Sequence, residues 1–337
     1  MHRSATISLY VDNLIPNAGD NESAWILSVW EGANERLKTV EFKSEDPYRS
    51  AVAEYRVSAN LDEVVTLLRQ AHARCGSFAG YLQQAQQPNG PSTSARLHFQ
   101  FDAVQGNLEL YSLYNAVGTF IHQLVLALNI ALPGSCEMVG TIYEGDSSER
   151  FEAPEFSSAL FTNAWLSAFD ADWPQLKPIH FHEVWQWLAA RRTSETDVAM
   201  GDTNKVLFGL LEMAQHHYAT GERDGILVAH MIEILLKVPD GNLHLIRDRV
   251  VAALGKPSAR ADSFNELYRL KERLVRGDYP VRRPALIVHE ADDPILQQLE
   301  MHNSPVEQGA AIVLALIQDL VNHGAGEYQF TQHISRI

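Results

Sequence analysis

Four basic side chains crowd one short segment: Arg269, Lys271, Arg273 and Arg276, in the run from Phe264 to Gly277. Guanidinium and ammonium groups so placed can hold a phosphate or another anion, Arg as a bidentate fork and Lys as a point charge. Proton transfer needs a further group that titrates near neutral pH, and this run has none. Arg276 cannot serve as a base, because a guanidinium keeps its proton. A base could come from elsewhere, and His289-Glu290, ahead of Asp292 and Asp293, is one source on a long connection. His180 and His182 form a His-x-His pair before a helix. Two imidazoles on one side of an extended segment can begin a metal site, but spacing names no third ligand beyond the adjacent Glu183. His216 and His217 sit on a helix, where neighbours diverge by about 100° and cannot share one metal. His230 lies in a very apolar helix and reads as a core histidine.

The elements that must position these groups fall into two halves. Residues 6–11, 24–30 and part of 53–57 alternate with period two and read as strands. Residues 96–101 and 108–111 read as a hairpin pair closed by 102–107, which holds Gly106. Residues 61–72, with Asn60 as N-cap, and 115–132 read as helices, and 138–143 as a strand. Residues 84–94, rich in Gln, Pro, Gly and Ser, read as an exposed loop. Together residues 1–154 are expected to be an α+β domain with a mainly antiparallel sheet.

Strand signals fade after residue 155. Helices are expected at 156–169 and 181–192, making 155–202 a helical connector. Five more follow: 203–220, 225–236, 243–254 between Asn242 and Gly255, 263–276 before Gly277, and 305–322 before Gly324. Their short connections predict an up-and-down bundle over 203–325. The Pro- and Asp-rich stretch 278–304 reads as a surface connection, and 326–337 as a mobile tail.

Composition narrows the function classes. The chain has 337 residues, 46% of them hydrophobic, enough for real cores and against wholesale disorder. Two cysteines, Cys75 and Cys136, offer no disulfide framework and suit a reducing cytosol. The first residues lack the apolar run of a signal peptide, and the apolar runs 124–132 and 310–316 are short for a bilayer. The expectation is a cytoplasmic protein with no membrane partner. Formal net charge is -15, which disfavours non-specific binding to nucleic acid. Yet between Arg247 and Arg283 ten basic residues oppose five acidic ones. That island is either a solvated helix face with neutralising partners or an anion site. No phosphate-binding glycine loop, dinucleotide fingerprint or nucleophile elbow is present, so no cofactor is expected. The six tryptophans read as packing residues.

The run Leu267-Tyr268-Arg269-Leu270-Lys271-Glu272-Arg273-Leu274-Val275-Arg276-Gly277 resembles the signature helix of the ApeA-like HEPN family, "L-Y-x-x-R-S-x-L-V-H-G". Tyr268, Leu274, Val275 and Gly277 match. Lys271 stands at the family's catalytic Arg and Arg276 at its catalytic His. Residues 207–218 resemble the family's first long helix. Residues 225–237 resemble its second, with Glu233 as the glutamate in an apolar setting. Residues 245–255 resemble its "R-V-x-x-L-L-G" block, and 182–188 its tryptophan-bearing lead-in. The resemblance covers residues 181–322.

It implies that the α+β N-terminal domain is followed by an all-α HEPN-like up-and-down bundle. It implies a bacterial protein in a defence or toxin-like setting, with a degraded motif and RNA- or protein-binding, regulatory work. Arg269, Lys271, Arg273 and Arg276 are the expected RNA or anion contacts. No catalytic residue is assigned beyond the two motif positions, Lys271 and Arg276, and no metal is expected. A homodimer through the signature helix is implied, with the N-terminal domain available to a protein partner. The rivals are an active metal-independent endoribonuclease with a shifted site, drawing on His289, and a structural dimerisation module.

Overall fold

The computed structural model describes residues 4–46, 51–105, 110–145, 150–215, 222–238, 241–259, 261, 263–278 and 294–330. The chain divides into two compact units. The first comprises 1–162, 177–200 and 210–217; the second comprises 163–176, 201–209 and 218–337.

In the first unit, the strands β1 (Ser4–Asn13), β2 (Val40–Asp46), β3 (Ala51–Asn60), β4 (Ala95–Ala103), β5 (Val139–Gly145) and β6 (Arg150–Glu152) form one sheet. Their order is β2-β3-β4-β1-β5-β6, every neighbour antiparallel. Alternation fixes the register: Ile7 opposes Phe99, Leu9 opposes Leu97, and Val57 opposes Phe101, all buried. A one-residue slip would turn all of these to the polar face, which carries the bonded pair Ser8–His98 and the ion pair Arg96–Glu144. Helices α1 (Asp20–Arg36), α2 (Asp62–Cys75), α3 (Phe78–Ala85) and α4 (Leu110–Ala131) fill the connections, and α6 (Phe181–Ala190) packs on α1 and α4.

Phe120 of α4 is fully buried and makes edge contacts with Phe42, Phe99 and Phe101 at 5.1, 5.6 and 5.9 Å between ring centroids. Trp185 of α6 lies 5.3 Å away on the same ring. One side chain thus joins two strands, β2 and β4, to two helices, α4 and α6. Trp30 of α1 closes the core and donates its indole N–H to the Ser135 carbonyl at 2.8 Å. Five of the six tryptophans are buried, and Trp25 is 41% exposed.

Two expected strands are helical. Residues 24–30 lie inside α1. There Ile26, Val29, Trp30 and Ala33 recur at helical spacing on the buried side, and Asp20 and Glu22 favour the positive end of the helix dipole. The period-two pattern was coincidental, because Trp25 faces out. Leu110 and Tyr111 open α4 instead of pairing with β4, since the apolar spacing of Leu113, Ala116, Val117 and Phe120 runs on through that segment. Residues 108 and 109 lie outside the described residues. The N-cap position of α2 falls on Leu61 and not on the expected Asn60, one residue earlier, whose Oδ1 accepts from the Asp62 N–H at 2.9 Å.

Past β6 the described elements are helices: α5 (Ala159–Ala171), α6, α7 (Asp202–Ala214), α8 (Glu222–Leu235), α9 (Leu243–Leu254), α10 (Ser263–Arg276) and α11 (Pro294–Asn322). The order is therefore α+β followed by helical. In the second unit α8, α10 and α11 pack on one another, and α9 packs on α11. Gly309 of α11 makes that approach possible, for a Cβ there would lie 2.5 Å from Val228 and 2.7 Å from Leu267. α11 begins before the expected Pro305, which sits inside the helix and has no N–H to bond. Residues 111–131 of α4 and 304–322 of α11 are long and apolar enough to cross a membrane, yet 72% and 83% of their most apolar stretches are buried in the protein.

Replacing Phe120 with Ala is expected to cost about 3–5 kcal/mol, since the cavity opens among three rings that sheet and helix hold in place. A lower urea midpoint at unchanged slope would show it; an unchanged midpoint would mean that the aromatic cluster is not what joins helix to sheet.

Candidate functional site on α10

α10 ends as its sequence predicts. Gly277 takes a left-handed φ of 76°, and the Asp278 N–H bonds back to the Arg273 carbonyl at 2.9 Å. Phe264, Leu267, Tyr268 and Leu270 are buried on one side. Lys271 falls at the edge of that side, so its ammonium reaches inward while Arg269, Arg273 and Arg276 face out.

The inward reach meets a carboxylate. Lys271 Nζ lies 2.5 Å from Glu233 Oε1 of α8, with side-chain exposures of 24% and 6%. Gly241 closes over this pair: its ideal Cβ would be 3.3 Å from Glu233 Oε1 and 3.9 Å from Lys271 Nζ, and its φ of 63° excludes most side chains. Tyr268 completes the apolar wall, and burial pushes its phenol well above the usual range. The pair faces a cavity of about 510 Å³ lined by α8, α9 and α10, with Arg247, Arg269 and Arg276 at its walls.

The outward-facing arginines are largely engaged. Arg269 pairs with Glu266 at 2.5 Å and Arg276 with Glu272 at 2.6 Å, both within α10. Such exposed helix pairs contribute little to stability, but they supply local counter-charge. Arg249 is pinned differently. Its guanidinium donates to the Leu236 and Lys237 carbonyls at the end of α8 and lies 4.6 Å from the centroid of the Phe330 ring. The basic island is thus partly a set of helix caps and ion pairs.

The histidines do not complete a catalytic group among the described residues. His230 is exposed, against its expected place in the core, because α8 turns its buried stripe through Val228, Ala229, Met231 and Ile232. His180 and His182 are exposed and their rings lie 5.9 Å apart, but no group of three metal-ligating side chains forms among the described residues. His216, His217, His289, Glu290, Asp292 and Asp293 fall outside the described residues. Cys75 and Cys136 are unbridged, and burial pushes the Cys136 thiol far up.

The Lys271–Glu233 bond was not visible in the sequence, which places its partners 38 positions apart. The available signal was a lone carboxylate in an apolar helix. A second half-buried carboxylate, Glu307 of α11, accepts from Asn163 Nδ2 at 3.0 Å, and burial raises its pKa above the ordinary carboxylate range. No protein-family model, curated protein or solved structure matches this chain.

Lys271→Met is expected to cost about 2–3 kcal/mol, toward the low side for a buried pair because Lys271 is partly exposed. Adding Glu233→Leu should recover most of that loss. A single variant as stable as wild type, or a double variant no better than the single, would rule out a buried, mutually dependent pair. Glu307 gives a pH test. A carboxyl whose native pKa is raised stabilises the fold fully below its unfolded pKa, and that contribution is lost as pH rises through the native value. Urea midpoints should therefore fall with rising pH above the ordinary carboxylate range. Glu307→Gln, which keeps an acceptor for Asn163, should flatten the fall; an unaltered slope would clear Glu307 of it.

Proposed function

We propose that residues 203–325 are a HEPN-like bundle that has exchanged ribonuclease chemistry for a binding and regulatory role. The observation that carries this reading is the ion pair of Lys271 with Glu233. The family's Arg position is occupied by a cation already committed to a buried carboxylate, in place of a fork offered to phosphate. The family's His position holds Arg276, which cannot take the proton of a ribose hydroxyl. Losing a general base forfeits a factor of about 100 to 10,000 in rate.

The bound partner is a protein in preference to RNA. Arg269 and Arg276 carry carboxylates beside them, and phosphate would have to displace those pairs. Val275, between the paired arginines, is 69% exposed and gives this end of α10 an apolar contact. A regulatory place in a bacterial defence or toxin-like system follows from the family resemblance.

The test is RNA cleavage in EDTA, wild type beside Lys271→Ala/Arg276→Ala. Neither protein is expected to cut a mixed-sequence single-stranded RNA. Cleavage by wild type that disappears in the double variant would establish an active endoribonuclease and end the binding-module reading.

A further inference from the structure

The first unit holds a cavity of about 730 Å³, and its chemistry differs from that of the α10 site. One wall is a stripe of α1: Trp25, Ser28, Val29, Gly32 and Arg36 recur at helical spacing, and Lys38 follows just past the helix end. The facing wall is residues 178–182, with His180 and His182 at the start of α6. Arg36, Lys38, His180 and His182 are all exposed, and among the described residues none makes an ion pair or a side-chain hydrogen bond. Glu35 is the single carboxylate of the lining. In a chain of net charge -15, Arg36 and Lys38 thus share one concavity with two histidines and make no ion pair with its one carboxylate. The arginines of α10 show the ordinary outcome, which is a neighbouring glutamate.

We propose that this cavity binds a nucleotide carrying a di- or triphosphate. Its volume is that of a small-ligand site. Trp25 offers a half-exposed indole on which a base can stack. The guanidinium of Arg36, the ammonium of Lys38 and the N–H groups of the two imidazoles supply donors to phosphate oxygens. The Phe181 and His182 backbone N–H groups, which open α6 ahead of its first bonded N–H at Glu183, add to them. Spacing selects the ligand. Trp25 and Arg36 are eleven residues apart on one helix, about 16 Å along its axis at 1.5 Å per residue. A free base or a free phosphate meets one end of the cavity; a nucleoside polyphosphate meets both. This site shares no residue with the α10 site and stands whether or not that bundle cuts RNA.

Calorimetric titration of the full chain with ADP, adenosine and pyrophosphate tests it. ADP should bind saturably at one site per chain, and adenosine and pyrophosphate at least about tenfold more weakly each. Arg36→Ala/Lys38→Ala should weaken ADP about tenfold or more. Trp25→Ala should weaken ADP while leaving pyrophosphate unchanged. All three side chains are exposed, so the variants should keep the wild-type melting temperature. No saturable ADP binding at millimolar ligand overturns the proposal. So does ADP binding that the Arg36/Lys38 variant retains, which would put the nucleotide elsewhere, and so does pyrophosphate binding as tightly as ADP, which would leave a plain anion site.

Discussion

Glu233 places a carboxylate on α8 with 5% of its surface exposed, and the packing around α10 is arranged about that fact. Taking a charge out of water costs several kcal/mol unless a partner and close hydrogen bonds replace the lost hydration. Lys271 is that partner, and its length sets how α10 must lie against α8 for the ammonium to reach. Gly241 fits over the pair because it has no side chain, and Gly309 lets α11 press α8 and α10 together from another side. A side chain at either position would crowd this packing.

A cation cannot serve two carboxylate-like partners equally. Lys271 bonded at 2.5 Å to a buried glutamate is worth less to an incoming phosphate than a free ammonium, because binding would have to leave Glu233 unpaired in an apolar wall. The same geometry that stabilises the second unit therefore subtracts from anion affinity at the motif position. Counting basic residues misses this competition. Ten basic against five acidic residues suggested a positive surface, whereas Arg249 is spent on helix carbonyls and Arg269 and Arg276 on their own helix neighbours.

Local rules made much of the fold legible. α9 and α10 run between the predicted residues because Asn242, Gly255 and Gly277 each do a job that the backbone requires, a capping acceptor or a left-handed turn. β1 was legible because Ile7, Leu9 and Val11 alternate with polar neighbours toward solvent. α1 was not, since a short window containing Trp25, Leu27 and Val29 fits period two nearly as well as 3.6, and only the acidic first turn and the longer stripe decide it. His230 misled for a related reason: an apolar segment gives no phase, and the buried stripe is set by what α8 meets on α10 and α11. The HEPN-like reading of the helical part rests on residue matches alone and stands as a proposal.

Where a site lies depends on what its charges are bonded to, a long-range property. Glu233 and Lys271 become partners across 38 positions, and Arg36 and His180 come to one cavity from α1 and the start of α6. Sequence singled out the first region because its charges are consecutive, and consecutive charges on a helix are the ones best able to neutralise each other at i and i+3 or i+4. The second region was invisible as a cluster because its members are scattered, and scattered basic residues gathered by the fold have no such built-in counter-ions. An anion arriving at the first must break pairs; at the second it completes them. At the second the histidine pair that spacing alone could not turn into a metal site gains a role beside Arg36 and Lys38.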